Sequence, residues 1–114
     1  MKIIIAGGRT FDDYNLLVEK CDNILSNQLD IEIVSGTANG ADKLGERYAK
    51  EKGYQIKKFP ANWSLGKSAG YKRNEEMAVY ADALIAFWDE SSKGTKHMID
   101  LAMKHGLKVR IIKY

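Results

Sequence analysis

Residues 83–95, ALIAFWDESSKGT, decide the fold. Ala83–Phe87 form an unbroken apolar run, which then turns through Trp88 into acids and serines. Gly94-Thr95 open a stretch with helical spacing. A continuously apolar run of this length fits a strand covered on both faces, the setting of a central strand in a parallel sheet. The unit therefore reads as strand, polar loop, helix.

The same succession recurs along the chain. Ile3–Ala6, Ile31–Val34, Tyr54–Phe59, Ala83–Phe87 and Leu107–Ile112 are strand-like. Helical spacing of apolar residues predicts helices at about 13–27, 40–52, 67–81 and 95–105. "EKGYQI" and "KHGLKV" each put a glycine where a helix must stop before a strand. Such alternation predicts an α/β fold: a Rossmann-like three-layer sandwich on a five-stranded parallel sheet with right-handed crossovers. The expected strand order is 3-2-1-4-5, with one domain over residues 1–114.

Composition narrows the class. The chain has 114 residues, 45% hydrophobic and 29% charged, as expected of a globular domain. One cysteine, Cys21, excludes an internal disulfide framework and fits a reducing cytoplasm. No run approaches the ~20 apolar residues of a membrane span, so no membrane partner is expected. The net charge of +3 is unevenly spread: residues 1–42 carry −4, residues 43–73 carry +7, and residues 74–114 balance. A basic middle third implies an anionic partner, although lysines solvating a helix account for Lys43, Lys50 and Lys52.

In open parallel sheets, ligands sit beyond the carboxyl ends of the strands, where strand order reverses. The loops following the strands are "GGRTFDD", "SGTANGAD", "PANWSLGKSAGYKRN" and "WDESSKGT". All are rich in glycine, small hydroxyl residues or both, whereas the returns from helix to strand are not. Gly7 and Gly8 permit close backbone approach, and Arg9 offers a forked donor; a tight turn with Arg9 on the surface is the other reading. Asp12 or Asp13 caps the first helix. In the second loop, Ser35 and Thr37 supply hydroxyls, while Gly36 and Gly40 free the backbone for phosphate or ribose. Asp42 either meets a ribose hydroxyl or simply suits a helix first turn. The loop lacks the lysine of a Walker A sequence. From the third loop Asn62, Trp63, Lys67, Arg73 and Asn74 are candidate contacts, with Trp63 either on a base or packed at the sheet edge. The fourth offers Trp88, Asp89, Ser92 and the helix start at Gly94-Thr95. His97 and His105 have no third ligand at metal spacing, so neither a metal nor a cofactor is expected.

Together, "GGRTF", "SGTANGAD-LG--YA", "PANW---GKSAGYKRNEEM" and "ADALIAFWDESSKGTKHMIDLA-K-G" resemble the short bacterial and phage proteins of the SLOG superfamily. The resemblance implies a nucleotide bound over the strand ends. The wider superfamily includes LOG phosphoribohydrolases, sensors of NAD-derived nucleotides and the DprA proteins, which bind single-stranded DNA. Against the hydrolases' R-K-x-x-M motif this chain has Arg73, Asn74 and Met77; against their PGGxGTxxE loop, Gly94 and Thr95 match. Asp89 and Glu90 followed by serines replace the preceding glycines, and Met98 stands where the catalytic glutamate would be. A methionine cannot steady an oxocarbenium-like centre as a carboxylate does.

The expected function is therefore binding of a nucleotide-derived ligand, ADP-ribose- or NAD-like, as a sensor or sequestering module. The phosphates would lie against Gly7–Arg9, "SGTANG" and Gly94-Thr95, with Arg73 as charge partner. The base or ribose would meet Trp63, Trp88, Asp42 or Asp89. An N-glycosidic hydrolase using Arg73 with Asp89 or Glu90 is the first alternative. Single-stranded nucleic acid binding through residues 43–73 is the second. Exposed tyrosines and apolar helix faces permit a homo-oligomer.

Overall fold

The computed structural model describes residues 1–114, apart from the side chain of Lys67. Strands β1 (Lys2–Gly7), β2 (Glu32–Ser35), β3 (Gln55–Lys58), β4 (Ala83–Trp88) and β5 (Lys108–Lys113) alternate with helices α1 (Tyr14–Leu25), α2 (Ala41–Lys52), α3 (Ala69–Tyr80) and α4 (Lys93–Lys104). All four strand pairings are parallel, in the order β3-β2-β1-β4-β5. The chain winds outward through β2 and β3, then crosses back to build β4 and β5 on the other side of β1. The switch point lies between β1 and β4, the expected arrangement.

Side-chain alternation explains the two cores. Ile3 and Ile5 of β1 join Ile85 and Phe87 of β4 under α1 and α2, with Leu17, Cys21 and Tyr48. Ile4 and Ala6 join Leu84 and Ala86 under α3 and α4, with Met77, Met98 and Ala102. Covering both faces is what makes IIIA and ALIAF continuously apolar, since each fully buried isoleucine or leucine contributes roughly 1.5–3 kcal/mol. The edge strands β3 and β5 are largely exposed and carry lysines, which disfavours pairing with another chain.

Helix ends follow local chemistry. Asp13 caps α1 through a bond from the Leu16 N–H (3.0 Å). Gly53, at φ +75°, ends α2 by donating to the carbonyls of Ala49 and Lys50. The region before α3 differs from the expected single helix starting near 67. A 3-10 segment, Trp63–Ser68, comes first, and Gly66 at φ +78° puts a kink inside it. Asn62 starts that segment, its side-chain oxygen accepting from the Ser64 N–H (3.2 Å) and hydroxyl (2.5 Å). Among the described residues no helix is long and apolar enough to cross a membrane.

Candidate functional site

Packing at the switch point is tight enough to fix backbone positions. A Cβ on Gly7 would collide with the Phe87 carbonyl and stand 2.9 Å from the Ala41 side chain. The Gly8 carbonyl accepts from both Phe11 N–H and Ala41 N–H, at 3.2 Å each, which ties the loop after β1 to the start of α2. Gly40, at φ +78°, passes so close to Gly8 and Arg9 that no side chain fits there. This glycine closes the backbone junction; it does not line the crevice.

Above these strand ends lies a crevice of about 390 Å³. Its walls are Gly7–Thr10 on one side, Asp89, Ser92, Gly94 and Thr95 on the other, and Asp42, Arg73 and Asn74 at the end. Met77 and Met98 contribute the apolar part of its lining. Two further hollows, of about 280 and 350 Å³, adjoin it and share Arg9 and Arg73 with it.

Arg73 is the hub. Its Nη1 donates to the Gly36 carbonyl and its Nε donates to Asn74 Oδ1 (3.1 Å). Because an arginine Nε can only donate, the Asn74 carboxamide oxygen must face it and the NH₂ must face away. That NH₂ lies 3.1 Å from His97 Nδ1 and 3.5 Å from the Gly94 carbonyl. Asn74 thus couples α3 to the start of α4. Burial holds the Arg73 guanidinium below the ordinary arginine value; nearby Asp42 opposes this and Arg9 adds to it. It stays a cation. Among the described residues no carboxylate comes within 4.0 Å of Arg9 or Arg73.

Asp42 is the buried acid of the crevice. Burial pushes its carboxyl up to about 6, against the opposing pull of the Ala38 N–H (3.1 Å) and the Arg73 charge. One turn further along α2, buried Glu46 receives the Ser35 hydroxyl (2.6 Å), and Ser35 Oγ in turn accepts from Thr37 N–H (3.0 Å). That anchor accompanies Thr37 at φ +65°, a strained setting for a β-branched residue.

The start of α4 forms the opposite wall. Asp89 Oδ1 accepts from the Ser91 and Ser92 N–H groups at 2.8 Å each, and these bonds hold its carboxyl below the usual range. Ser92 caps the helix through Thr95 N–H (3.3 Å). The first-turn N–H groups of Lys93 and Gly94 have no intrahelical acceptor, so this end favours anions.

Of the residues expected at the site, Gly7, Gly8, Arg9, Asp42, Arg73, Asn74, Asp89, Ser92, Gly94 and Thr95 line the crevice. Gly36, Thr37 and Trp63 border the adjoining hollow. The rest have other duties. Ser35 is buried beneath its loop against Glu46, and Asn62 caps the 3-10 segment. The Trp88 indole N–H donates to the Ser92 carbonyl (3.2 Å) while its ring packs on the core under α4. Glu90, at φ +68°, is drawn away to Lys113 (2.9 Å). The Lys67 side chain lies outside the described residues. Thr10, Tyr71, Glu46 and His97 were not anticipated as lining or supporting residues. For Glu46 the signal was present: Asp42 and Glu46 are four apart on the helix face that also carries Gly45 and Ala49.

The profile of the YspA, cpYpsA-related SLOG family matches residues 1–66. The Gene 61 protein of Mycobacterium phage D29 is 31% identical over 116 residues, covering 95% of this chain and 93% of that protein. Among solved structures, DNA processing protein A (DprA) of Streptococcus pneumoniae superposes with a TM-score of 0.80 at 22% identity. It matches 99% of this chain, which spans 50% of the S. pneumoniae chain. Helicobacter pylori DprA, described for its single-stranded DNA binding mode, gives a TM-score of 0.74 at 18% identity over all of this chain and 66% of that one.

Proposed function

The chain belongs to the YspA, cpYpsA-related SLOG family, and from that premise we propose that it binds a nucleotide or nucleotide-derived ligand over the switch point, as a sensor or sequestering module. One observation carries the reading: two arginines with no carboxylate within 4.0 Å line, together with the N-terminus of α4, a crevice of about 390 Å³. That volume is within the range typical of small-molecule sites. Phosphate oxygens would take the Arg9 fork, the remaining Arg73 guanidinium N–H groups and the N–H of Gly94. Asp42 would accept from a ribose hydroxyl.

Binding without cleavage is the version the carboxylates favour. Met98 lines the crevice where a catalytic glutamate would be needed, Asp89 is committed to its own loop, and Glu90 is paired with Lys113. The second reading, single-stranded nucleic acid, has in its favour the DprA-like fold and Trp63, which is 60% exposed beside the crevice. It gains less from the basic middle third than the charge count implies. Lys43 and Lys58 pair with Glu46, Arg47 with Glu51 and Lys52 with Asp22.

A thermal-shift panel of AMP, ADP and ADP-ribose tests the proposal. A ligand present at 100 times its dissociation constant stabilises by about 2.7 kcal/mol. The expected result is a rise in melting temperature that Arg73→Ala abolishes. No rise with any of the three, or a rise unaffected by Arg73→Ala, overturns it.

A further inference from the structure

Arg9 and Arg73 border not one hollow but three. Beside the crevice, and sharing Asn74 and Gly94 with it as well as the two arginines, a hollow of about 350 Å³ is bordered by Trp63, Gly70 and Tyr71. These two aromatics are 60% and 51% exposed, in a chain whose other large rings are mostly half-buried or buried. Large exposed aromatic surface beside paired cations is the composition of a stacking subsite for a nucleic acid base.

The local structure keeps this hollow open. Asn62 fixes the backbone turn that carries Trp63. Tyr71 is braced edge-on against the His97 ring, with centroids 4.4 Å apart. A side chain at Gly70 would stand 3.7 Å from the Trp63 ring and 3.8 Å from an Arg73 nitrogen, in the gap between indole and guanidinium. An anion held by Arg9 and Arg73 therefore borders both the crevice and the aromatic hollow.

We infer that the Trp63–Tyr71 hollow is a second base subsite, and that the ligand is a dinucleotide whose linking phosphates sit at the Arg9–Arg73 junction. One nucleoside occupies the crevice, and the second base stacks on Trp63. A mononucleotide or ADP-ribose leaves the aromatic hollow empty. The inference rests on the nucleotide-binding reading above and adds a selection for two bases.

Diadenosine diphosphate and ADP-ribose provide the test, because they share an adenosine, two phosphates and a second ribose and differ by one adenine. Isothermal titration of the full chain is expected to show diadenosine diphosphate binding about tenfold more tightly, the low-to-middle range for stacking of one base on an aromatic side chain. Trp63→Ala should erase that preference while leaving ADP-ribose affinity within about twofold. Trp63→Phe should restore most of it, and the exposed position makes misfolding a minor concern. Equal affinities in the unsubstituted protein overturn the second subsite and leave nucleotide binding standing. A Trp63→Ala loss shared equally by both ligands also overturns it. If neither ligand binds, both readings fall, and a Trp63-dependent complex with oligodeoxythymidylate would then assign the aromatic hollow to a strand.

Discussion

Asp42→Asn separates what the buried acid costs the fold from what it gives the site. Burial raises the Asp42 carboxyl from 3.8 to about 6. A displacement of about 2 corresponds to about 3 kcal/mol at 1.36 kcal/mol per pKa unit. The sign follows from proton binding: folded Asp42 holds its proton more tightly than the unfolded chain does. Stability from this group is thus full below about pH 4 and declines as pH rises to about 6, then levels off. Asparagine cannot ionise, yet its carbonyl oxygen can still accept the Ala38 N–H that Asp42 accepts at 3.1 Å. Asp42→Asn should therefore match the unsubstituted protein near pH 4 and exceed it by up to about 3 kcal/mol at pH 7. For a domain of this size that is roughly 10 °C in melting temperature. Urea titrations at pH 4, 5, 6 and 7 measure the gap directly, since titrations elsewhere cancel between the two proteins. A gap that does not change with pH, or a variant less stable at pH 7, would refute the burial argument. A positive result at pH 7 joined to weaker nucleotide binding would identify Asp42 as an acid kept at the expense of stability for the ligand.

Two further outcomes test the scaffold and the hub. Gly45→Ala in the middle of α2 would ordinarily stabilise a helix, but the new Cβ would stand 2.9 Å from Ile5 of β1. A loss of about 1–3 kcal/mol by chemical denaturation is expected, and a gain would show that α2 can move off the sheet. His97 should make ligand binding sensitive to acid. Burial lowers its pKa, Asp100 on α4 and Glu75 on α3 oppose that effect, and its Nδ1 faces the Asn74 NH₂. Protonation puts a donor against a donor, which favours flipping the Asn74 amide and removing the acceptor from Arg73 Nε. Nucleotide affinity should therefore fall as the pH drops below the ordinary histidine range, and His97→Gln should fall less. Equal losses in the two proteins, which share the ligand's own titration, would remove His97 from the hub.

The parallel sheet was legible because ALIAF and IIIA are apolar without interruption, a pattern that only two-sided burial explains. The crevice loops were legible for a related reason. Chain reversal at a crowded strand end selects glycine, and Gly7 is confined by the Phe87 carbonyl. Tertiary partners were not visible in the sequence. Nothing local to "SGTANG" shows that Ser35 turns inward to Glu46, eleven residues away. Nothing local to "WDESS" shows that Glu90 leaves for Lys113. Trp88, at the end of a strand, could either cap the core or floor a pocket; its ring packs on the core and its N–H is committed to the Ser92 carbonyl. The 3-10 turn before α3 was not visible because the stretch that carries it reads as an irregular loop. His97 drew attention only as a metal ligand, whereas its contact is an amide on the neighbouring helix.

An amide-resolved NMR titration of the full chain with AMP tests the central claim most directly. Saturable shifts should concentrate at Gly7–Thr10, Thr37–Ala38 and Lys93–Thr95, the three backbone segments around the Arg9–Arg73 pair, and should vanish in Arg73→Ala. Shifts that avoid these segments, or a spectrum unchanged at millimolar AMP, would contradict a nucleotide site at the switch point.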